Sequence, residues 1–218
     1  MRLLVFGASG KCGQWLVTLG ATRGHEITAF VRPQTAYKAP TGVRVVRGDV
    51  LDAESVMAVT LGHDAILSCL GPQRVSPANP FSSLRSPLAF CQRSATHIVA
   101  AATAAGIRTL GAISAAGVGD SAAHLPAAMR WLLAHSTIGE MYRDLGEMET
   151  EYASSTLDWF AVRPVTLVNA KPWRPARELK RFGSFSVIGR ADVAQWMLDQ
   201  LASSAAGTQA RTPMIGWW

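Results

Sequence analysis

Cysteine is scarce, charge is sparse, and no long apolar run occurs. The three cysteines, Cys12, Cys69 and Cys91, stand far apart, with no Cys-x-x-Cys pair and no Cys/His spacing. An odd, scattered set argues against a disulfide framework and against a zinc site. No metal is therefore expected, and reduced thiols point to a cytoplasmic protein. Charged residues make up 17% of the chain and hydrophobic ones 49%, which excludes a disordered polymer too polar to bury its own surface. The Ala-rich stretch 98–118 carries Arg108 and several glycines, and so falls short of the about 20 unbroken apolar residues that span a bilayer. The chain enters its first strand at once, so no signal peptide is expected. There is no internal repeat and no low-complexity tract. The net charge is +6 and the pI about 9.7. Yet the basic residues are scattered, with no Lys/Arg cluster interleaved by aromatics, so neither nucleic acid nor a membrane is expected as a partner. At 218 residues the simplest organisation is one domain with a sizeable core.

The organising stretch is the first thirteen residues. Leu3 to Phe6 form an apolar run bounded by glycine, the pattern of a strand buried on both faces in a parallel sheet. Gly7, Gly10 and Gly13 follow at a three-residue spacing, and Trp15, Leu16, Val17 and Leu19 then open an amphipathic helix. Strand, glycine-rich turn and helix form the context of a dinucleotide site. The turn Gly7-Ala8-Ser9-Gly10-Lys11-Cys12-Gly13 is thus the candidate diphosphate cradle. Its backbone amides and the positive helix end favour an anion, and Gly13 lets helix and strand pack closely. Cys12 also reads as a small packing residue.

Further along, Glu26–Val31 reads as a second strand ending in Arg32. An acid at this place would bond a ribose 2′-hydroxyl, whereas an arginine suits a 2′-phosphate. Lys11 adds a nearby positive charge, so NADP(H) is the expected cofactor. Val43–Arg47 is a third strand. After it, Asp49 is placed to accept from an adenine amino group and Val50 to line the ring, although Asp49 also suits a turn cap. Asp52 is a helix N-cap. Residues 64–71 make a fourth strand and its exit, Cys69-Leu70-Gly71. The segment 72–87, with four prolines and no clear period, is too long for a simple link and is expected to cover the site. Ser76, Asn79, Phe81 and Arg85 are its candidate substrate contacts. A helix over 88–105, a strand over 107–113, a capping segment over 119–136, a helix over 137–155 and a strand over 157–162 follow. A second cover, 171–188, precedes the last helix. A closing strand over 212–218 ends in Trp217-Trp218, which are either buried or a self-association contact, leaving monomer or homodimer open.

The Gly-x-x-Gly-x-x-Gly spacing resembles the extended and atypical short-chain dehydrogenase/reductases. It looks most like their small NAD(P)H-binding branch, with NmrA-like regulators and biliverdin/flavin reductases. Gly48-Asp49-Val50, the run from Ser155 to Arg163-Pro164, and Arg190-x-Asp192-Val193-Ala194 carry the resemblance as far as about Leu201. It implies a single-domain, doubly wound, mostly parallel α/β Rossmann-like fold. It also implies that Cys69, Leu70 and Gly71 border the cofactor's ribose and pyrophosphate, and that the backbone after Pro164 lies near the nicotinamide. Ser114 takes the place of the serine that orients a substrate carbonyl, and Tyr142 that of the catalytic tyrosine. The family's Tyr-x-x-x-Lys is broken, because the fourth residue after Tyr142 is Gly146. Arg143 points elsewhere on the helix, so the usual pKa-lowering cation is missing.

The expected activity is NADPH-dependent reduction of a flat conjugated acceptor such as a flavin, quinone or enone, which needs no tyrosine–lysine acid. Two alternatives stay open: a non-catalytic NADP(H) sensor of the NmrA-like kind, and an NAD(P)-dependent isomerase or epimerase.

Overall fold

A computed structural model describes residues 1–183, 185–203 and 211–217. The first strand, β1 (Arg2–Phe6), lies between two parallel neighbours, β2 (Glu26–Val31) and β4 (Ala65–Ser68). Leu3 to Phe6 are wholly buried, as a strand covered on both faces requires. Side chains alternate across the sheet. Leu3 and Val5 join one core, with α1 (Lys11–Thr22) and α6 (Arg190–Ser203). Leu4 and Phe6 join the other, with α2 (Ala53–Thr60), α3 (Phe90–Ala104) and α5 (Thr137–Ala153).

Adding β3 (Arg44–Arg47), β5 (Thr109–Ile113), β6 (Asp158–Pro164), β8 (Arg177–Glu178) and β10 (Met214–Gly216), the sheet runs β3-β2-β1-β4-β5-β6-β10-β8. Every pairing is parallel except β10–β8. This is the expected doubly wound, mostly parallel, Rossmann-like single domain. The strand order reverses between β1 and β4, so their carboxyl ends open a crevice at the switch point. Outside the sheet, β7 (Thr166–Val168) pairs with β9 (Val187–Gly189), and α4 (Ala127–His135) follows a 3-10 turn at 119–124. No strand is expected from the sequence within 166–189, where β7, β8 and β9 form. Both small pairings are made with partners distant in sequence, so no local pattern announces them. The closing strand is shorter than expected, and Trp218 lies outside the described residues.

Two carboxylates tie together elements that lie far apart in sequence. Asp144 of α5 reaches across to accept from the Cys91 and Gln92 amides, both at 3.0 Å. It thereby caps α3, whose own N-cap residue, Ala89, offers no side-chain oxygen. Asp192, at the start of α6, accepts from the Trp217 indole N–H at 3.1 Å and from the Trp173 amide at 3.4 Å.

Arg163 on β6 is a deeply buried cation, 4% exposed. It forms a fork with Glu149 of α5, Nε to Oε1 at 3.0 Å and Nη2 to Oε2 at 2.6 Å, and its Nη1 donates to Asp120 at 2.5 Å. A buried ion left without its partner is far costlier than the intact pair is stabilising. Glu149→Leu is therefore expected to lower unfolding stability in urea by about 3–5 kcal/mol. Asp120→Asn, at a side chain 86% exposed, should cost less than about 1 kcal/mol. Equal losses from the two would show that burial does not set the strength of the pair.

Candidate functional site

The crevice between β1 and β4 is built on backbone contact. Gly7 leaves β1 with φ +72°, and a Cβ there would stand 2.7 Å from the Cys69 carbonyl oxygen. A Cβ on Gly13 would overlap the Gly7 carbonyl. The turn closes through Gly10 N–H to Gly7 C=O at 2.9 Å, and α1 opens with Gln14 N–H to Gly10 C=O, also at 2.9 Å. The Gln14 side-chain amide ties down the Ser9 carbonyl at 2.9 Å. The N-cap residue of α1, Gly10, supplies no side-chain cap, so the first-turn amides lack the partner a Ser or Asp cap would give. A turn with no room for side chains and with uncapped amides fits a diphosphate.

Around this turn lies a cleft of about 280 Å³. It gathers Gly7, Ser9 and Gly10 from the turn, Arg32 from the tip of β2, Asp49 and Val50 from the exit of β3, and Cys69, Leu70 and Gly71 from the exit of β4. Nine of the fourteen expected cofactor residues thus meet at one crevice. The rest stand behind or beside it: Ala8 and Gly13 are buried in packing, Lys11 is exposed, Cys12 packs against the core, and Pro164 lies on β6. Asp49 also caps its turn, its Oδ1 accepting from the Leu51 amide at 2.9 Å. Asp52 caps α2 as expected, accepting from Glu54 N–H at 3.2 Å.

The loop after β2 contains no helix. The Arg47 guanidinium holds it instead, lying 2.9 Å from the carbonyls of both Pro33 and Thr35. The 72–87 segment forms the outer wall, contributing Gln73, Arg85, Ser86 and Pro87. It is a small hairpin with an Arg74–Leu84 bridge, and the Thr137 hydroxyl lies 2.7 and 2.8 Å from the carbonyls of Pro80 and Ser82. Phe30, Val31, Thr35, Gly48 and Phe90 complete the lining. None of these five is among the expected cofactor or substrate residues: Phe30 and Val31 fall inside an expected strand, Phe90 inside an expected helix, Gly48 only inside the family-like Gly48-Asp49-Val50 run, and nothing in the pattern distinguishes Thr35.

Ser114 and Tyr142 do not line this cleft. Ser114 ends β5, with its amide donating to Val162 C=O at 2.7 Å, and its buried hydroxyl has no partner. Tyr142 packs against Gly117, three residues further on. Burial pushes the Tyr142 hydroxyl up, so it stays protonated and can donate but not act as a base. Arg143 is exposed. A wider cavity of about 630 Å³ lies at the second cover, between Lys180, Arg181, Phe182 and Trp217. No residue of the glycine turn reaches it.

Burial pushes the Cys12 thiol up to about 11, against a smaller opposing effect of Arg190. Burial, with Cys12 beside it, raises Cys69 well above its usual range. Among the described residues no group of three His, Cys, Asp or Glu side chains is placed to hold a metal, and no helix is long and apolar enough to cross a membrane.

Residues 7–204 match the family described as NAD(P)H-binding. Over 118 residues the chain is 37% identical to a 3-diazoavenalumate denitrifying reductase from Streptomyces, a match covering 53% of this chain and 38% of that protein. A maize isoflavone reductase homolog is 31% identical over 85 residues, 34% of this chain and 28% of its own length. The chain thus aligns with well under two thirds of either relative. Among solved structures, ChuY of Escherichia coli O157:H7, described as an anaerobillin reductase, superposes with a TM-score of 0.77 at 23% identity, over 99% of this chain and 96% of that one. A short-chain dehydrogenase/reductase from Veillonella parvula in complex with NADP superposes with a TM-score of 0.78 at 16% identity, over 99% and 94%.

Two measurements test this geometry. Gly13→Val should abolish folding or cofactor binding, whereas Gly10→Ala, whose Cβ would stand 3.1 Å from the Gly7 carbonyl oxygen, should stay folded and bind NADPH at least ~10-fold more weakly. Unchanged binding by either variant would remove the cradle. Carbamidomethylation of the native protein should be slow, and its rate should keep rising with pH beyond about 8.5, where an ordinary thiol levels off. A plateau there would mean that an accessible thiolate exists.

Proposed function

The chain belongs to the NAD(P)H-binding family, and from that premise we propose that it is an NADPH-dependent reductase. Its acceptor is a small conjugated molecule such as a flavin, quinone or enone. The observation that carries this reading is the convergence of an uncapped glycine turn and an arginine, in place of an acid, at the tip of β2. The turn amides hold the diphosphate, Arg32 the 2′-phosphate, and Asp49 and Val50 the adenine. Cys69, Leu70 and Gly71 border the ribose, and the chain after Pro164 supports the nicotinamide. Bound NADPH supplies the hydride. The unpartnered Ser114 hydroxyl hydrogen-bonds the acceptor or the carboxamide, and Tyr142 helps as a second hydrogen-bond donor, not as the proton source. The segments 72–87, 119–136 and 171–188 cover the substrate and exclude water. A conjugated acceptor, once reduced, takes its proton from water, which suits a site with glycine at position 146. Reductases among the relatives support the same class. Three buried or half-buried free thiols suit a reducing cytoplasm.

The absent lysine also favours a second reading, a sensor that binds NADP(H) and passes its redox state to a protein partner. An assay of NADPH oxidation against a panel of flavins, quinones and enones separates the two. Turnover above background is expected. Tight NADPH binding with no turnover on the whole panel would leave the sensor. Within the reductase reading, Arg32→Ala should raise KM for NADPH by ~10–100-fold and leave that for NADH nearly unchanged. Equal effects on both would remove Arg32 from phosphate recognition.

A further inference from the structure

Arg32 is one of two arginines on the cleft. The other, Arg85, comes from the hairpin that forms the cleft's outer wall. They are the only cations in the lining, and its one acid, Asp49, already accepts from the Leu51 amide. Among the described residues neither guanidinium enters an ion pair. The hairpin's other arginine, Arg74, is engaged with the Pro77 carbonyl at 2.5 Å.

The backbones carrying the two free heads are nonetheless fixed. The Arg85 amide donates to Gln73 C=O at 2.7 Å, and the Gln73 amide donates to the Ser86 hydroxyl at 2.9 Å. Arg47 and the Thr35 amide hold the Arg32 loop, the latter donating to the Arg32 carbonyl at 3.0 Å. Both exposed guanidinium groups border the same cleft of about 280 Å³, and an anion bound there would be attracted by both. A phosphate monoester matches the guanidinium fork and carries enough charge for both.

We propose that Arg85 is a second ligand of the cofactor's 2′-phosphate, so that preference for the phosphorylated cofactor is set from the cover as well as from the sheet. This rests on the reading of the cleft as a dinucleotide site.

Calorimetric titration of wild type, Arg85→Gln, Arg85→Lys and Arg32→Gln with NADPH, NADH and adenosine 2′,5′-bisphosphate tests this. Arg85→Gln should weaken NADPH and the bisphosphate by ~10–100-fold and NADH by less than about twofold. Arg85→Lys should fall between, and the salt dependence of NADPH binding should flatten in Arg85→Gln. Melting temperatures of the ligand-free variants should match wild type, since Arg85 is exposed. Unchanged NADPH affinity in Arg85→Gln, or equal losses for NADPH and NADH, overturns the role given to Arg85. If wild type itself binds neither NADPH nor the bisphosphate, the dinucleotide reading falls, and this proposal with it.

Discussion

The site depends on backbone meeting backbone where β1 ends. Gly7, Gly13 and the carbonyl of Cys69 occupy a space in which no side chain fits. That closeness brings the start of α1 to the mouth of the crevice and aims its first amides along it. It also locks β4 to β1, with Cys69 N–H donating to the Phe6 carbonyl at 2.9 Å. The floor of the cleft, Arg32, Asp49, Val50, Cys69, Leu70 and Gly71, stands at the ends of strands that this contact holds in order.

The surrounding structure directs charge to that mouth. The deeply buried cation, Arg163, is neutralised by Glu149 and Asp120 away from the cleft. Asp144 spends its charge on the α3 amides. Among the described residues the arginines at the rim enter no ion pair, so the net charge of +6 is felt locally as an anion-seeking edge. Scattered basic residues and an absent Lys/Arg cluster are compatible with such an edge, because two well-placed guanidinium groups are enough.

Much of this was legible in the chain itself, for physical reasons. Leu3 to Phe6 can only be a strand covered on both sides, and three glycines in register before an amphipathic helix leave few alternatives. Glu26–Val31 appears with the bounds the sequence suggested. The cleft residues that could be read in advance sit at strand ends, where sequence position fixes spatial position. The rest was hidden because it depends on non-local partners. Arg47 substitutes for a crossover helix by bonding carbonyls some dozen residues away. Asp144 caps a helix that begins 54 residues before it by the numbering of Phe90 and Asp144. Phe30, inside the second strand, both packs edge-on against Phe6 at 5.2 Å and borders the cleft. The Arg163–Glu149 fork is invisible in sequence, since a family-like Arg-Pro turn says nothing of which carboxylate meets the guanidinium.

One feature reaches further than its size suggests. Asp192 holds the Trp217 indole and the Trp173 amide with its two oxygens, and the two rings meet edge to face at 5.1 Å. Three stretches separated widely along the chain hang from one carboxylate. The second cover is therefore hinged to the last strand of the sheet as well as to α6, and a tug on either is transmitted to the other. A chain shortened by its final residues would loose the cover from its mooring although it had lost none of the cover itself.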